Sequence, residues 1–320
     1  MAHLHDAERM GETPHWVPED IIGNMTLKTL LFSHDYRHIA IKGILTSIMM
    51  LGLGGLMALL FRTELAAPDI QFFGARPYMQ LMTLHGMFMV FGFVIPFVIS
   101  LNYYMMPKVL GTGRLLWAGA AQWSYWLLIL AAVFLVIARP DFTWTFYPPM
   151  SLRVGGDLVF LGYLAVALVA VSEFLAGAVL MRNGWEAARR IGLGKLPLMG
   201  WGAISEGILL MGSTPILAVV GVTMLTDWME LTALFDPARG GSVVTFMYMF
   251  WFYGHPAVYL PLMPAIAVLY TLLPRFLGRP IWSHWSAVIA FSMLTLLGFV
   301  VYPHHFQPAE NVIGPLQRAT

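Results

Sequence analysis

Seven apolar stretches recur along this chain of 320 residues. Each is near or above the roughly 18–20 residues that a helix needs to cross about 30 Å of hydrocarbon. They fall near Ile39–Phe61, Tyr78–Met106, Leu115–Ala138, Gly156–Met181, Leu198–Leu225, Val243–Leu273 and Trp282–Tyr302. Backbone groups in lipid must be bonded within their own segment or in a closed barrel, and continuous runs of this length argue for helices. Composition agrees, since 58% hydrophobic and 11% charged residues cannot make a water-soluble domain, where about a quarter of residues are charged. The expected fold class is an all-α integral membrane protein, a bundle of about seven transmembrane helices. It divides into a polar tail over residues 1–38, a membrane domain over 39–303 and a short outer tail over 304–320.

Orientation follows from the distribution of Lys and Arg, which accumulate on the cytoplasmic side. With the amino terminus inside, eleven of them fall on inner segments and six on outer ones, while Lys42 sits at the inner edge of the first span. An amino terminus in the cytoplasm and a carboxy terminus outside are therefore expected. The tail Met1–His38 is polar and leads directly into a full-length span, so no cleaved leader is expected and the tail stays on the side of synthesis.

This topology converts sequence position into depth at about 1.5 Å per residue. His85 lies a short way into the second span and His255 in the first half of the sixth, both of which enter from outside. His304 and His305 close the seventh span as it emerges outside. Four imidazoles thus share the outer half of the membrane. The remaining histidines, His3, His5, His15, His34, His38 and His284, belong to the inner side. Ionisable groups inside a membrane are costly, and each marks a functional site unless it is satisfied by helix packing or by snorkelling to water. Neutral imidazole binds copper and iron well, and three nitrogens with an open position suit a catalytic copper. The chain has no cysteine, so metal ligands must be nitrogen or oxygen.

Within Trp251-Phe252-Tyr253-Gly254-His255-Pro256-Ala257-Val258-Tyr259, His255 and Tyr259 are four apart and share a helix face. A phenol placed there can deliver a proton and an electron, although packing alone also accounts for such a pair. Pro256 removes one amide and is expected to loosen the backbone. Glu206 and Glu173 lie within the fifth and fourth spans, where each either relays protons or bonds a neighbouring helix.

The stretch Trp251 to Tyr259 resembles the sixth-helix signature of the haem–copper oxidases, Trp-Phe-x-Gly-His-Pro-x-Val-Tyr. Leu84-His85-Gly86-Met87-Phe88-Met89-Val90-Phe91 resembles the second-helix motif of that family, with Asn102 and Pro107 where that helix ends. Arg62-Thr63-Glu64-Leu65 resembles the close of the first helix, Trp144, Tyr147, Pro148 and Pro149 resemble the loop after the third, and His304-His305 resembles the paired copper ligands of the seventh. The chain is thereby identified as similar to the amino-terminal portion, helices one to seven, of the catalytic subunit I of cytochrome c and quinol oxidases.

The resemblance implies specific roles. His85 would be an axial ligand of a low-spin haem, with Arg62 bonding a haem substituent. His255, His304 and His305 would bind copper. Tyr259 would be the redox-active phenol joined to His255, and Trp251 would pack against the copper ligands. Glu64 would belong to a small cation site for calcium or sodium. It further implies membrane location, partnership with other oxidase subunits, and cytochrome c, a small copper protein or quinol as electron donor. A multi-pass protein of the plasma or inner membrane of a prokaryote is expected, with no nucleic-acid partner.

Several positions depart from the family pattern. Ala257 stands where the commonest type has a proton-carrying Glu after His-Pro, and Gly111-Thr112-Gly113-Arg114 stands where a proton-entry Asp is usual. A variant subclass places a Tyr before the His instead, typically as Tyr-Ser-His-Pro, which Tyr253 fits although Gly254 leaves out the Ser. Glu206, at a place not associated with a family acid, is the other proton-path candidate. Pro303 before the histidine pair is unusual. The ligands of a high-spin haem, and the second ligand of the low-spin one, would lie in helices beyond the seventh. The expected activity is therefore that of part of a terminal oxidase reducing dioxygen to water with proton translocation, active with a partner chain carrying those helices. A non-catalytic structural or assembly subunit, a transporter using Glu206, and nitric oxide reduction are the competing readings, the last disfavoured by Tyr259.

Overall fold

A computed structural model describes residues 25–309 of the chain. Among these residues every regular element is helical and no strand occurs. A short helix α1 (Leu27–Phe32) precedes α2 (Tyr36–Glu64), whose start is set by the Asp35 carboxylate accepting the Arg37 amide at 2.8 Å. The second span is α3 (Ala75–Met87), a π-helical stretch Phe88–Val94 and α4 (Ile95–Val109) in continuous register. Then come α5 (Ala118–Ala138), a single turn α6 (Met150–Arg153), α7 (Phe160–Ile191) and α8 (Leu198–Trp228). The sixth span is α9 (Val243–Tyr259) followed by α10 (Leu262–Leu277), and the last helix is α11 (His284–Val300), ending in 3₁₀ turns over Tyr302–Ala309.

Six helical segments are long and apolar enough to cross a membrane. The seventh, α11, has 17 residues, about 25 Å at 1.5 Å per residue, and its 3₁₀ continuation carries the chain further. The expected boundaries shift accordingly: the fourth helix begins at Phe160 rather than Gly156, and the seventh runs from His284 to Val300 rather than from Trp282 to Tyr302. The backbone break expected at Pro256 is displaced as well. Pro256 stays inside α9, and the helix is interrupted at Leu260 and Pro261, where the proline ring displaces the carbonyl four residues back. Histidines 3, 5 and 15, most of the expected inner tail and most of the outer one lie outside the described residues.

The bundle is held together by small residues where helices cross, and α7 and α8 form its most extensive contact. A Cβ on Gly207 of α8 would stand 2.9 Å from the Gly177 carbonyl oxygen and 3.0 Å from the Met181 amide of α7. Backbone thus meets backbone, the approach that small residues permit in membranes. The buried hydroxyls of Ser213 and Thr214 are satisfied within their own helix by the carbonyls of Leu209 and Leu210. Outward, the helices present bulky apolar groups, with Leu45, Leu56 and Leu59 of α2 more than half exposed. A helix apolar on every side needs lipid or further helices around it.

Candidate metal centre

α9 and the turns after α11 bring three imidazoles to one point. One ring nitrogen from each of His255, His304 and His305 lies within 4.8 Å of the other two, and His255 Nδ1 is 3.1 Å from His305 Nε2. No other group of three or more His, Asp or Glu side chains among the described residues has this geometry. Metal–nitrogen bonds of about 2 Å at trigonal angles place donor atoms about 3.5 Å apart, so the trio is slightly open and needs only small ring movements to close on an ion. His255 is 4% exposed and its Nε2 is buried without a hydrogen-bond partner, which is a costly arrangement for an imidazole that binds nothing. The donor set therefore fits a borderline-soft metal such as copper.

Aromatic side chains hold these rings. Trp251, one turn before His255, lies flat on His305 with centroids 3.7 Å apart and planes 6° apart. Its indole N–H donates to the Tyr147 hydroxyl, which the loop carrying Pro148 and Pro149 supplies, and Trp144 of the same loop packs edge-on against Trp251. Tyr259 stands edge-on to His255 with centroids 4.9 Å apart, as the four-residue spacing requires. Pro303 is the second residue of the 3₁₀ turns that place His304 and His305 side by side, with centroids 4.3 Å apart. The anchoring role of Tyr147 had no signal in the sequence beyond the motif that contains it.

His85 is not part of that cluster. It lies on α3 about 15 Å in from the start of the helix at Ala75. Its Nδ1 is 2.9 Å from the Gly54 carbonyl of α2, and Phe61 packs edge-on to the ring. A carbonyl accepting from Nδ1–H fixes the tautomer and leaves Nε2 to act as a ligand. Gly86 beside it admits Trp144, since a Cβ there would stand 2.7 Å from that side chain. Arg62 is exposed at the end of α2. Glu64, two residues on, accepts the amides of Gln71, Phe72 and Phe73 at 2.7–2.8 Å. Its carboxylate thus ties the following loop to the helix end.

The two proton-path candidates occupy separate places. Tyr253 is 1% exposed and donates to the Glu173 carboxylate of α7 at 2.8 Å. Glu206 on α8 is fully buried and accepts from the Asn102 amide of α4. Each acid therefore bonds a neighbouring helix, and each keeps one carboxyl oxygen without a partner.

A helical membrane bundle in which a buried histidine meets two half-buried ones, with nitrogens placed to hold a metal ion, defines a class of membrane protein. Within that class the chain belongs to the cytochrome c and quinol oxidase polypeptide I family, which it matches over residues 38–310. It is 30% identical to cytochrome c oxidase subunit 1 of Synechocystis over 279 residues, 86% of this chain and 51% of that protein. It is 30% identical to cytochrome c oxidase subunit 1 of Thermostichus vulcanus, with 92% and 54% covered. With the heme-copper oxidase subunit I+III of Aeropyrum pernix the identity is 33%, over 85% of this chain and 34% of the relative. The chain spans about half the length of the first two relatives and about a third of the last.

Proposed function

We propose that this chain forms the amino-terminal part of the catalytic core of a terminal oxidase, reducing dioxygen to water with proton translocation in the plasma membrane of a prokaryote. The observation that carries this reading is the convergence of His255, His304 and His305 from two distant elements. Copper bound there, with haem nearby, would supply electrons to dioxygen at an open coordination position. The chain's own residues prepare the place. Trp251 fixes the plane of His305, Tyr259 presents a phenol beside His255, and His85 would offer Nε2 as a ligand to a low-spin haem.

Arg62 enters the proposal as a partner for a haem substituent. Glu64 enters it as a calcium or sodium ligand using the lone pairs that its three amides leave. Tyr253 and Glu206 are assigned to the proton path. The remaining axial ligands would come from the helices that the relatives carry beyond the matched stretch, in the same complex. Other oxidase subunits would bring electrons from cytochrome c, a small copper protein or quinol.

The test is metal and haem analysis of the complex purified from its native membrane, together with oxygen uptake. Copper and haem are expected at stoichiometric levels, with copper lost in His304→Ala and the low-spin haem spectrum lost in His85→Ala. A complex without copper, haem or oxygen uptake would overturn the proposal in favour of a non-catalytic membrane subunit.

A further inference from the structure

A partly enclosed cavity of about 40 Å³ lies between α2, α4, α5 and α7. That is room for about three waters, since one needs about 10–15 Å³ on this measure. On α2 its lining runs from Ile39, near the inner end of the helix, to Ser47, about 12 Å along the axis. Thr46, Ser100, Tyr103, Ser124 and Tyr125 supply hydroxyls to it, and Glu173 lines it too. Several of these groups are already linked. Thr46 and Tyr125 are 3.0 Å apart, Ser124 and Ser172 Oγ atoms 3.3 Å, and Ser172 also donates to the Ser124 carbonyl at 2.6 Å. Toward the inner end, Lys42 is bonded to the Leu31 carbonyl and to Gln122, with its ammonium 4.1 Å from the centre of the Tyr125 ring.

Glu173 is 4% exposed, and one of its oxygens, Oε1, has no partner. The other, Oε2, is held by the Tyr253 hydroxyl of α9. Phe91, which also lines the cavity, stacks on Tyr253. The carboxyl therefore joins a cavity with several hydroxyls among its mainly apolar walls, extending toward the inner face, to the helix that carries His255. The titratable groups around it are the phenols of Tyr253, Tyr103 and Tyr125, with Lys42 the cation toward the inner side and Glu206 acting on Tyr103 from α8.

We propose that Glu173 is a proton-loading site, filled from the inner face through this cavity and emptied toward the metal pocket. The step is a transfer without electrons: an O–H bond forms at Glu173 Oε1 as a water in the cavity gives up a proton, and that water is restored by a proton from the inner side. Emptying breaks the same O–H bond. The Tyr253 hydrogen bond positions the group by occupying Oε2, leaving Oε1 for loading. The family pattern has its usual acid after His-Pro, a position held here by Ala257, whereas this acid belongs to α7.

The inference rests on the oxidase reading for its purpose but not for its test. In the assembled complex, the infrared C=O band of the protonated Glu173 carboxyl is expected to shift when D2O is admitted from the inner side. It should disappear in Glu173→Gln with copper and haem contents unchanged. Proton uptake from the inner side should slow about tenfold or more in Glu173→Gln, as expected for a lost proton-transfer group, and should recover in part in Glu173→Asp. Filling the cavity with Ser124→Leu should slow the deuterium shift without removing the band. A band that ignores inner D2O, or wild-type proton uptake in Glu173→Gln, would overturn the assignment while leaving the oxidase reading intact. Absence of oxygen uptake in the wild type would instead count against that reading, and the deuterium shift would still decide the fate of Glu173.

Discussion

At the scale of single residues, the centre depends on side chains that hold its ligands as much as on the ligands themselves. Trp251 is stacked on His305 and tethered to Tyr147, and groups that orient a ligand typically govern metal affinity by 10–100-fold. Trp251→Leu should therefore weaken copper binding by about tenfold in a chelator competition, with Tyr147→Phe changing it in the same direction but less. A second residue-scale prediction concerns the outer loop before α9. The Arg239 guanidinium holds the Asp236 carboxyl below its ordinary 3.8, helped by the Ala238 amide and by Arg153. A depressed carboxylate stabilises the folded loop at every pH above its unfolded value. That contribution is lost as pH falls through the folded value. Proteolysis of the loop should thus rise below about pH 4 in the wild type, whereas Asp236→Asn should be cut readily already at neutral pH and show no further acid step.

At the scale of elements, the contact between α7 and α8 is the one least able to adjust. The neighbours of a Cβ on Gly207 are a carbonyl oxygen and an amide nitrogen of α7, and backbone atoms inside a helix cannot step aside as a flexible side chain can. Gly207→Val should destabilise the bundle by about 2 kcal/mol or more, read as an earlier unfolding midpoint in detergent. A substitution such as Val219→Ala, on the exposed side of α8, should leave that midpoint nearly unchanged. The same pair of helices carries Glu173 and Glu206, so a separation should also disturb their bonds to Tyr253 and Asn102. The π-helical stretch Phe88–Val94 begins three residues after His85. Wide turns of this kind often occur at functional sites, and here one lies between the histidine and the inner half of the span.

For the whole molecule, the asymmetry of Lys and Arg and the outer location of the histidines make one claim about orientation. Because the chain has no cysteine, single cysteines report it cleanly. Ala66→Cys, exposed after α2, should react with a membrane-impermeant maleimide on intact cells. Arg114→Cys, exposed between α4 and α5, should react only after permeabilisation. The reverse pattern would put the histidine centre on the inner side and sink the proposed direction of proton loading.

Much of the architecture was legible in the residues themselves. Apolar runs of spanning length dictate helices because lipid offers no partner for a free amide, and the motifs around His85, His255 and His304 identified the family. Helix boundaries were less legible, since Pro256 and Pro261 carry the same local signal and only packing decided which one interrupts the span. The meeting of His255 with a pair of histidines some fifty residues later depends on how α9 and α11 lie side by side. The partners of the two buried acids belong to the same category. From sequence Glu173 and Glu206 are both acids within spans, and only Glu206 is a proton-path candidate. The packing of α7 gave one the Tyr253 phenol of α9 and a cavity shared with α2, α4 and α5, while the packing of α8 against α4 gave the other an amide. Hydrophobic periodicity specifies that a helix is buried and along which length. Which distant helix it faces is settled only by side-chain volumes fitting together across the whole bundle.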